Sequence, residues 1–494
     1  MSEEKNTSDI DPKDVSIGTE ALSGGIARIA LLGIGFLGSI LFARILGATG
    51  FGAFYLLVTL ENVVDRPIIG FAESVQKRLS ESESEPRQYY GAFLITFAVF
   101  AVFISVVAIV GRDIINGYVQ REDAFLLFIA LFLALSAQEA FSAVFAATGR
   151  LGIIHWIDAL RSFITIPTQV LLVLVGYGVV GMTVGLAGAS LVTPLILVYL
   201  LGLQPTIPDI AVFRSLFEYA KYSVPNSITS FGYDRIALLI LGFYLTPAAV
   251  GYFEAALKLT VPALAIGMMA SGVLMPKISN LSSRNEDFSQ ELRDVMSYSS
   301  VFAIPTLFGA IVVSHKLMIT IYGGEFRPAA KFLIGVAFYR LLTTRTKPLV
   351  STLRGIDLPK LDLFGTILST TVLLVVGIPA LNRFGAMGML GGVVAAAASR
   401  YVLNAWFVRR EVGPVPHAPR PFIAQVVGGI IMLITLEIAK RLFVLAPWYR
   451  VFLLVGFGAV VYFVVVFAIS PHVRGTVVRI GGDFIEEKLG ITLV

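Results

Sequence analysis

Long apolar stretches follow one another almost without pause along this chain, and the short segments between them hold most of its charge. A window of about 19 residues finds such stretches at 23–46, 52–76, 89–111, 124–147, 152–176, 179–203, 222–245, 249–276, 294–313, 332–350, 361–381, 385–407, 422–439 and 451–470. Each is long enough, at about 1.5 Å per helical residue, to cross a hydrocarbon core about 30 Å thick. Hydrocarbon offers no water to backbone N–H and C=O groups, so the spans are expected to be helices. The pattern is weakest in the second, seventh and tenth, which carry charges inside them.

The expected fold is therefore an all-α polytopic membrane protein of about fourteen helices. Residues 1–20 read as a cytoplasmic polar tail and 21–203 as a six-helix bundle. A linker (204–221) precedes a second six-helix bundle (222–410). A proline-rich loop (411–421), two additional helices (422–470) and a cytoplasmic tail (471–494) complete the chain. No connecting loop is long enough to fold as a domain of its own.

Composition agrees with the pattern. Of 494 residues, 56% are hydrophobic and 14% charged, against roughly a quarter charged in soluble domains, and mean hydropathy is +0.83. That excludes a soluble cytosolic enzyme. The net charge of +5 conceals an acidic leader, because Glu3, Glu4, Asp9, Asp11, Asp14 and Glu20 outnumber Lys5 and Lys13. The bases of the remaining chain are scattered among loops and spans, which favours anionic lipid headgroups or an anionic substrate over nucleic acid. With no cysteine, disulfide and thiolate chemistry are excluded. Lysine and arginine concentrate in alternate loops, among them Lys77, Arg78, Arg87, Arg214, Lys221, Arg409 and Arg410. This places both termini in the cytoplasm, and the plasma membrane is the expected location.

The chain is similar to itself. Leu46 to Phe54 (LGATGFGAF) matches Leu245 to Phe253 (LTPAAVGYF), and Gly178 to Met182 (GVVGM) matches Gly385 to Met389 (GAMGM), at nearly equal offsets. An offset of six spans preserves direction through the membrane. Parallel repeats of this kind place a substrate cavity between two bundles, which is a transporter's layout.

These segments resemble the multidrug/oligosaccharidyl-lipid/polysaccharide transporter superfamily, and within it the polysaccharide, or lipid-linked oligosaccharide, flippases. The likeness rests on Ala43-Arg44-Ile45-Leu46-Gly47 with Gly50-Phe51-Gly52 and Tyr55, on Val250 to Phe253 with Ala256, and on Met275-Pro276-Lys277-Ile278-Ser279 followed by Pro305. It covers most of the chain, and its motifs are structural turns that specify fold better than substrate. It implies movement of a polyprenyl-(pyro)phosphate-linked saccharide between leaflets. The expected partners are that lipid, membrane lipids and glycan-assembly enzymes.

Ten bases fall inside spans: Arg28, Arg44, Arg66, Arg161, Arg235, Lys258, Arg340, Arg345, Lys347 and Arg400. One arginine at the bilayer centre costs about 2.5–3.5 kcal/mol even on lenient scales, so these must snorkel, pair or line a wet cavity. Arg44 and Arg400 lie near span ends, within reach of headgroups. Glu254 and Lys258 are four apart, and Asp158 and Arg161 three apart, both favourable helical spacings. Arg66 and Arg235 each follow an aspartate, and adjacent residues point about 100° apart on a helix. They are expected to pair across helices, Asp65 with Arg235 or Asp234 with Arg66, or to face a cavity and grip phosphate. Arg28, Arg66, Arg235 and Lys258 are thus the candidate substrate-binding cations. Asp65, Asp234, Glu254 and Asp158 are candidates for gating or ion coupling.

No phosphate-binding loop or nucleophile elbow is present. His155, His315, His417 and His472 form no metal-ligand spacing, so neither cofactor, metal nor enzymatic activity is expected. The rival readings are a cation-coupled multidrug exporter of the same fold and a non-transporting envelope-assembly scaffold.

Overall fold

The structure, a computed structural model, describes residues 17–81, 85–229, 232–414, 419–442, 448–471 and 474–475. For residues 17–34, 151, 229 and 234 it describes the backbone alone. Among the described residues it is helical throughout, with no strand. The chain begins with α1 (Ile17–Val64), α2 (Arg66–Leu79), α3 (Pro86–Val110), α4 (Arg112–Val119), α5 (Ala124–Ala146), α6 (Leu151–Leu172) and α7 (Gly178–Leu201). It continues through α8 (Ile210–Thr229), α9 (Tyr233–Tyr244), α10 (Pro247–Leu259), α11 (Ala265–Ser283), α12 (Ser289–Tyr298) and α13 (Ala303–Tyr322). It ends with α14 (Ala329–Gly355), α15 (Pro359–Val372), α16 (Ile378–Phe384), α17 (Ala386–Glu411), α18 (Arg420–Leu442) and α19 (Trp448–Ile469).

Ten segments among the described residues are long and apolar enough to cross a membrane. The longest, Gly152–Leu201, has 50 residues. Straight, it would measure about 75 Å, more than twice the hydrocarbon thickness. Instead a π-helical turn (Val173–Tyr177) and the left-handed Gly176 and Gly178 fold it back on itself. The ten omit α2, the α8–α9 pair and α14, which carry the charges that weaken the second, seventh and tenth stretches of the sequence. A helix with buried charge does not face lipid, and α14 buries most of its length. The exposed surfaces are apolar instead, as at Val99, Val102 and Phe103 of α3 and Leu453, Val460 and Val464 of α19.

The internal repeat is visible in the backbone. A second π-helical turn, Leu373–Gly377, precedes α16. Gly385 opens α17 with φ 60° and ψ −146°, close to the φ 54° and ψ −128° with which Gly178 opens α7. The other matched pair meets face to face. The chain turns at Gly47 (φ 66°) inside α1, and the stretch beyond it crosses the start of α10. A Cβ on Gly52 would lie 1.7 Å from the Pro247 carbonyl oxygen, and one on Gly251 would lie 2.2 Å from that of Ala48. Phe51, Tyr252 and Phe326 pack edge-on around this crossing.

Helices α1 to α7 pack mainly on one another, as do α9 to α17. The two sets meet chiefly where α1 crosses α10, while α8, between them in the chain, lies against α2. There the Ser223 hydroxyl donates to the Gly70 carbonyl at 2.6 Å. Helices α18 and α19 form a hairpin against α13. Gln425 of α18 holds the break between α12 and α13, donating to the Ser297 carbonyl at 2.7 Å and accepting from the Ser300 hydroxyl at 2.9 Å.

Substituting Gly52 by valine should force the crossing apart. Overpacking a close contact costs about 1–3 kcal/mol, and the expected result is a lower unfolding temperature in detergent. Gly35→Ala, whose new Cβ meets nothing within 4 Å, should leave that temperature unchanged.

Candidate functional site

Two charged groups lie within the helical bundle. The first is built by α10, where Glu254 and Lys258 stand one turn apart. Lys258 Nζ is 3.5 Å from Glu254 Oε1, and Arg235 Nη1 of α9 is 3.3 Å from Glu254 Oε2. The carboxylate is buried (1% exposed) beneath bases that remain 32% and 40% exposed. A shared anion therefore underlies two cations, each part-exposed on its outer face. Lys258 Nζ also sits 4.9 Å over the ring of Tyr55 from α1, a contact that holds the ammonium without neutralising it. Arg340 of α14 backs the group, donating to the Leu257 carbonyl and the Thr260 hydroxyl, both at 3.4 Å. The buried Tyr322 donates from its hydroxyl to the Ala255 carbonyl at 3.2 Å. The aromatic crossing of α1 and α10 lies immediately beyond, toward Gly47.

The second group surrounds the break between α1 and α2. Asp65 keeps helical φ and ψ (−78°, −18°) at this junction, and the long Arg66 side chain folds back so that its Nε comes within 3.2 Å of Asp65 Oδ1. Arg66 also donates to the Asn62 carbonyl at 2.8 Å and stands 3.7 Å from Glu139 of α5. Glu139, Asp158, His155 and Gln138 line an adjoining cavity of about 300 Å³. Asp158 pairs with Arg161 at 2.7 Å, as their spacing predicts.

The pairings of Asp65 with Arg235 and Asp234 with Arg66 are therefore not the arrangement of this conformation for Arg66, which is taken up by its own neighbour and Glu139, nor for Asp65. Arg235 turns to Glu254. The side chains of Arg28 and Asp234 lie outside the described residues. Arg400 does not reach for a headgroup, because the Asp362 carboxylate of α15 takes it at 2.8 Å, together with Arg354 at 2.7 Å. Arg44 donates to the carbonyls of Thr320 and Ile321 at the end of α13, the latter at 2.7 Å. Close by, Glu325 accepts the Ala48 N–H at 3.1 Å. These contacts clamp the Gly47 turn to the α13–α14 connection.

Residues 41–331, more than half of the chain, match the family model described as polysaccharide biosynthesis protein. The chain belongs to this family. It is 29% identical to a Haloferax volcanii protein named as the probable low-salt glycan biosynthesis flippase Agl15, over 78% of this chain and 81% of that one. It is 23% identical to the probable flippase AglR of the same organism, over 69% and 73%. Among solved structures, the lipid II flippase MurJ in an inward closed conformation superposes with a TM-score of 0.76 at 16% identity, covering 90% of this chain and 97% of that one. An inward-facing multidrug resistance transporter of the same superfamily gives 0.59 at 15% identity, covering 78% and 98%. The fold is thus that of a multi-pass membrane transporter.

Within this fold, five participants lie outside the candidates named from sequence. Tyr55 and Arg340 join the cationic group, Glu61 and Glu139 the acidic one, and Glu325 the clamp. Glu61 and Asp65, four apart, share a helical spacing that could have signalled them. Nothing in the sequence pairs Tyr55 with Lys258 or Glu325 with the Gly47 turn, since both contacts depend on the repeat closing on itself.

Glu254→Gln should destabilise the protein, because it leaves two bases without the anion between them. Breaking a buried pair costs about 3–5 kcal/mol, and the part-exposure of both bases reduces that to roughly 1–2 kcal/mol. A fall in unfolding temperature, partly restored by adding Lys258→Met, is the expected outcome.

Proposed function

We propose that this protein is a flippase that carries a polyprenyl-(pyro)phosphate-linked saccharide from the cytoplasmic to the outer leaflet of the plasma membrane. Two bundles, 21–203 and 222–410, rock against each other, opening and closing the α1–α10 crossing, and expose the interior to each side in turn. Both termini are cytoplasmic, so the Gly47 turn lies outside. The single observation that carries the reading is the cationic group: Arg235 and Lys258 half-exposed over a buried Glu254.

Bases inside a membrane-spanning bundle are costly and mark substrate pathways. A phosphate or pyrophosphate headgroup supplies an anion to pair with them, and the guanidinium fork of Arg235 matches its oxygens. The saccharide needs a wet interior, while the polyprenyl tail stays in the bilayer. The names of the relatives, a probable glycan biosynthesis flippase and a probable flippase, support this substrate class. The multidrug exporters that share the fold are the second reading. The acidic group at Asp65 and Glu139 would suit a cationic cargo, whereas Arg235 and Lys258 would repel one. The phosphate arm belongs to the first reading, with glycan-assembly enzymes as suppliers and consumers of the lipid.

Arg235→Ala with Lys258→Ala should lower the rate at which a labelled polyprenyl-phosphate saccharide crosses the bilayer of proteoliposomes at least tenfold. An unchanged rate would sink the assignment of these cations. Faster export of a cationic dye by the same variant would favour the multidrug reading.

A further inference from the structure

The cavity of about 300 Å³ between α5, α6 and α7 has a lining that the ion pairs around it do not use up. Its polar side chains are Gln138, Glu139 and Ser142 of α5, His155 and Asp158 of α6, and Thr193 of α7. The volume stands at the lower end of the roughly 300–1,000 Å³ of small-ligand sites. All these residues lie toward one end of the bundle, the end read above as cytoplasmic. Ser142 is four residues from the end of α5, Asp158 seven from the start of α6 and Thr193 eight from the end of α7. At 1.5 Å per residue those are depths of about 6–12 Å. The two acids of the lining each have a base within ion-pair distance, Glu139 at 3.7 Å from Arg66 and Asp158 at 2.7 Å from Arg161. The rest of the polar lining is an amide, two hydroxyls and an imidazole.

Thr193 departs from the ordinary helical hydroxyl. Such a group donates to the carbonyl four residues back, as Thr165 does to Arg161 at 2.8 Å and Ser142 to Gln138 at 2.7 Å. Thr193 is 3% exposed, yet its hydroxyl has no hydrogen-bond partner. On α5 the buried Oε1 of Gln138 has none either. Polar atoms buried without partners are costly and rare. A ligand that both donates and accepts relieves the two together, because Thr193 has a proton to give and Gln138 Oε1 lone pairs to fill. Sugar hydroxyls do both. Both hydrogen bonds from Arg161 fall on Asp158 Oδ1, which leaves Oδ2 to accept from a further hydroxyl. Ile69 and Ile154 give the C–H face of a sugar ring an apolar wall. A cation would leave the Thr193 proton unmet, and a phosphate would meet two carboxylates.

We propose that this cavity is a saccharide subsite, in which Thr193, Gln138 and Asp158 hydrogen-bond a sugar of the lipid-linked glycan. Helix α1 sets its separation from the cationic group. Tyr55, under Lys258, and Arg66, beside Glu139, are eleven residues apart, about 16 Å of helix. The cavity therefore takes a distal sugar of a lipid whose phosphate lies at Arg235 and Lys258. The subsite rests on the flippase reading and adds to it a selection for the glycan, which cations that grip phosphate do not provide.

The test measures equilibrium binding of two lipids by the full chain in nanodiscs. One is the lipid-linked saccharide purified from the cells that make this protein, the other the same polyprenyl phosphate without sugar. The native chain should hold the glycosylated lipid at least tenfold more tightly. Thr193→Val, which keeps the shape and removes the hydroxyl, and Gln138→Leu should each abolish most of that preference and leave the affinity for the bare lipid unchanged. Thr193→Ser should retain the preference, and Asp113→Asn, in an exposed pair outside the cavity, should change nothing. The unfolding temperature of Thr193→Val should not fall, since the native hydroxyl makes no hydrogen bond within the protein. A native chain that binds both lipids equally would overturn the subsite alone, as would a preference indifferent to both substitutions. Weakening of both lipids in the same proportion by Thr193→Val would also overturn it, by making the position structural. A native chain that binds neither lipid would instead remove the flippase reading, and the subsite with it.

Discussion

A charge in hydrocarbon has only other charges, polar groups or trapped water to answer its field, and the arrangement of these helices follows from that constraint. The segments that can afford lipid contact, such as α3 and α19, are nearly uncharged and expose valine, leucine and phenylalanine. Helix α14, which carries Arg340, Arg345 and Lys347, is buried along most of its length. Even its bases are individually answered: Arg340 by the Leu257 carbonyl, and Arg345 by the Met296 carbonyl and the ring of Phe422. The same rule explains why α18 packs where it does, bringing Gln425 and Phe422 to polar groups that would otherwise face hydrocarbon.

Around that polar interior the repeat supplies the mechanics. Gly52 and Gly251 are equivalent in the two halves of the repeat, and they touch each other, so the absence of side chains at one repeated position closes the seam on both sides at once. Arg44 and Glu325 then clamp the same end through backbone groups. Tyr55 joins this seam to the cationic group, because it lies one turn beyond the crossing and carries Lys258 over its ring. Movement at the crossing would therefore change the setting of the ammonium directly.

Much of the fold was legible in the chain because hydrocarbon thickness dictates span length, and because glycine at positive φ marks turns that repeat. The elbows at Gly178 and Gly385 stand in the sequence as GVVGM and GAMGM and share their dihedrals in the structure. The site was less legible. Helical spacing gave the pairs Glu254–Lys258 and Asp158–Arg161, which lie within single helices. It misjudged Asp65 and Arg66, because an arginine side chain is long enough to fold back onto its neighbour even where the backbone stays helical. It placed Arg400 at a headgroup because Asp362, 38 residues earlier, meets it only through the packing of α15 on α17.

The central claim is that the crossing beside Gly47 opens during each cycle of transport. The native chain has no cysteine, so a pair introduced as Ala48→Cys and Glu325→Cys can be bridged specifically by a short, cleavable thiol-reactive linker. Transport of labelled polyprenyl-phosphate saccharide by this variant in proteoliposomes is then measured before bridging, after bridging and after cleavage. The account predicts that bridging stops transport and cleavage restores it. Transport that continues undiminished with the bridge in place would contradict it.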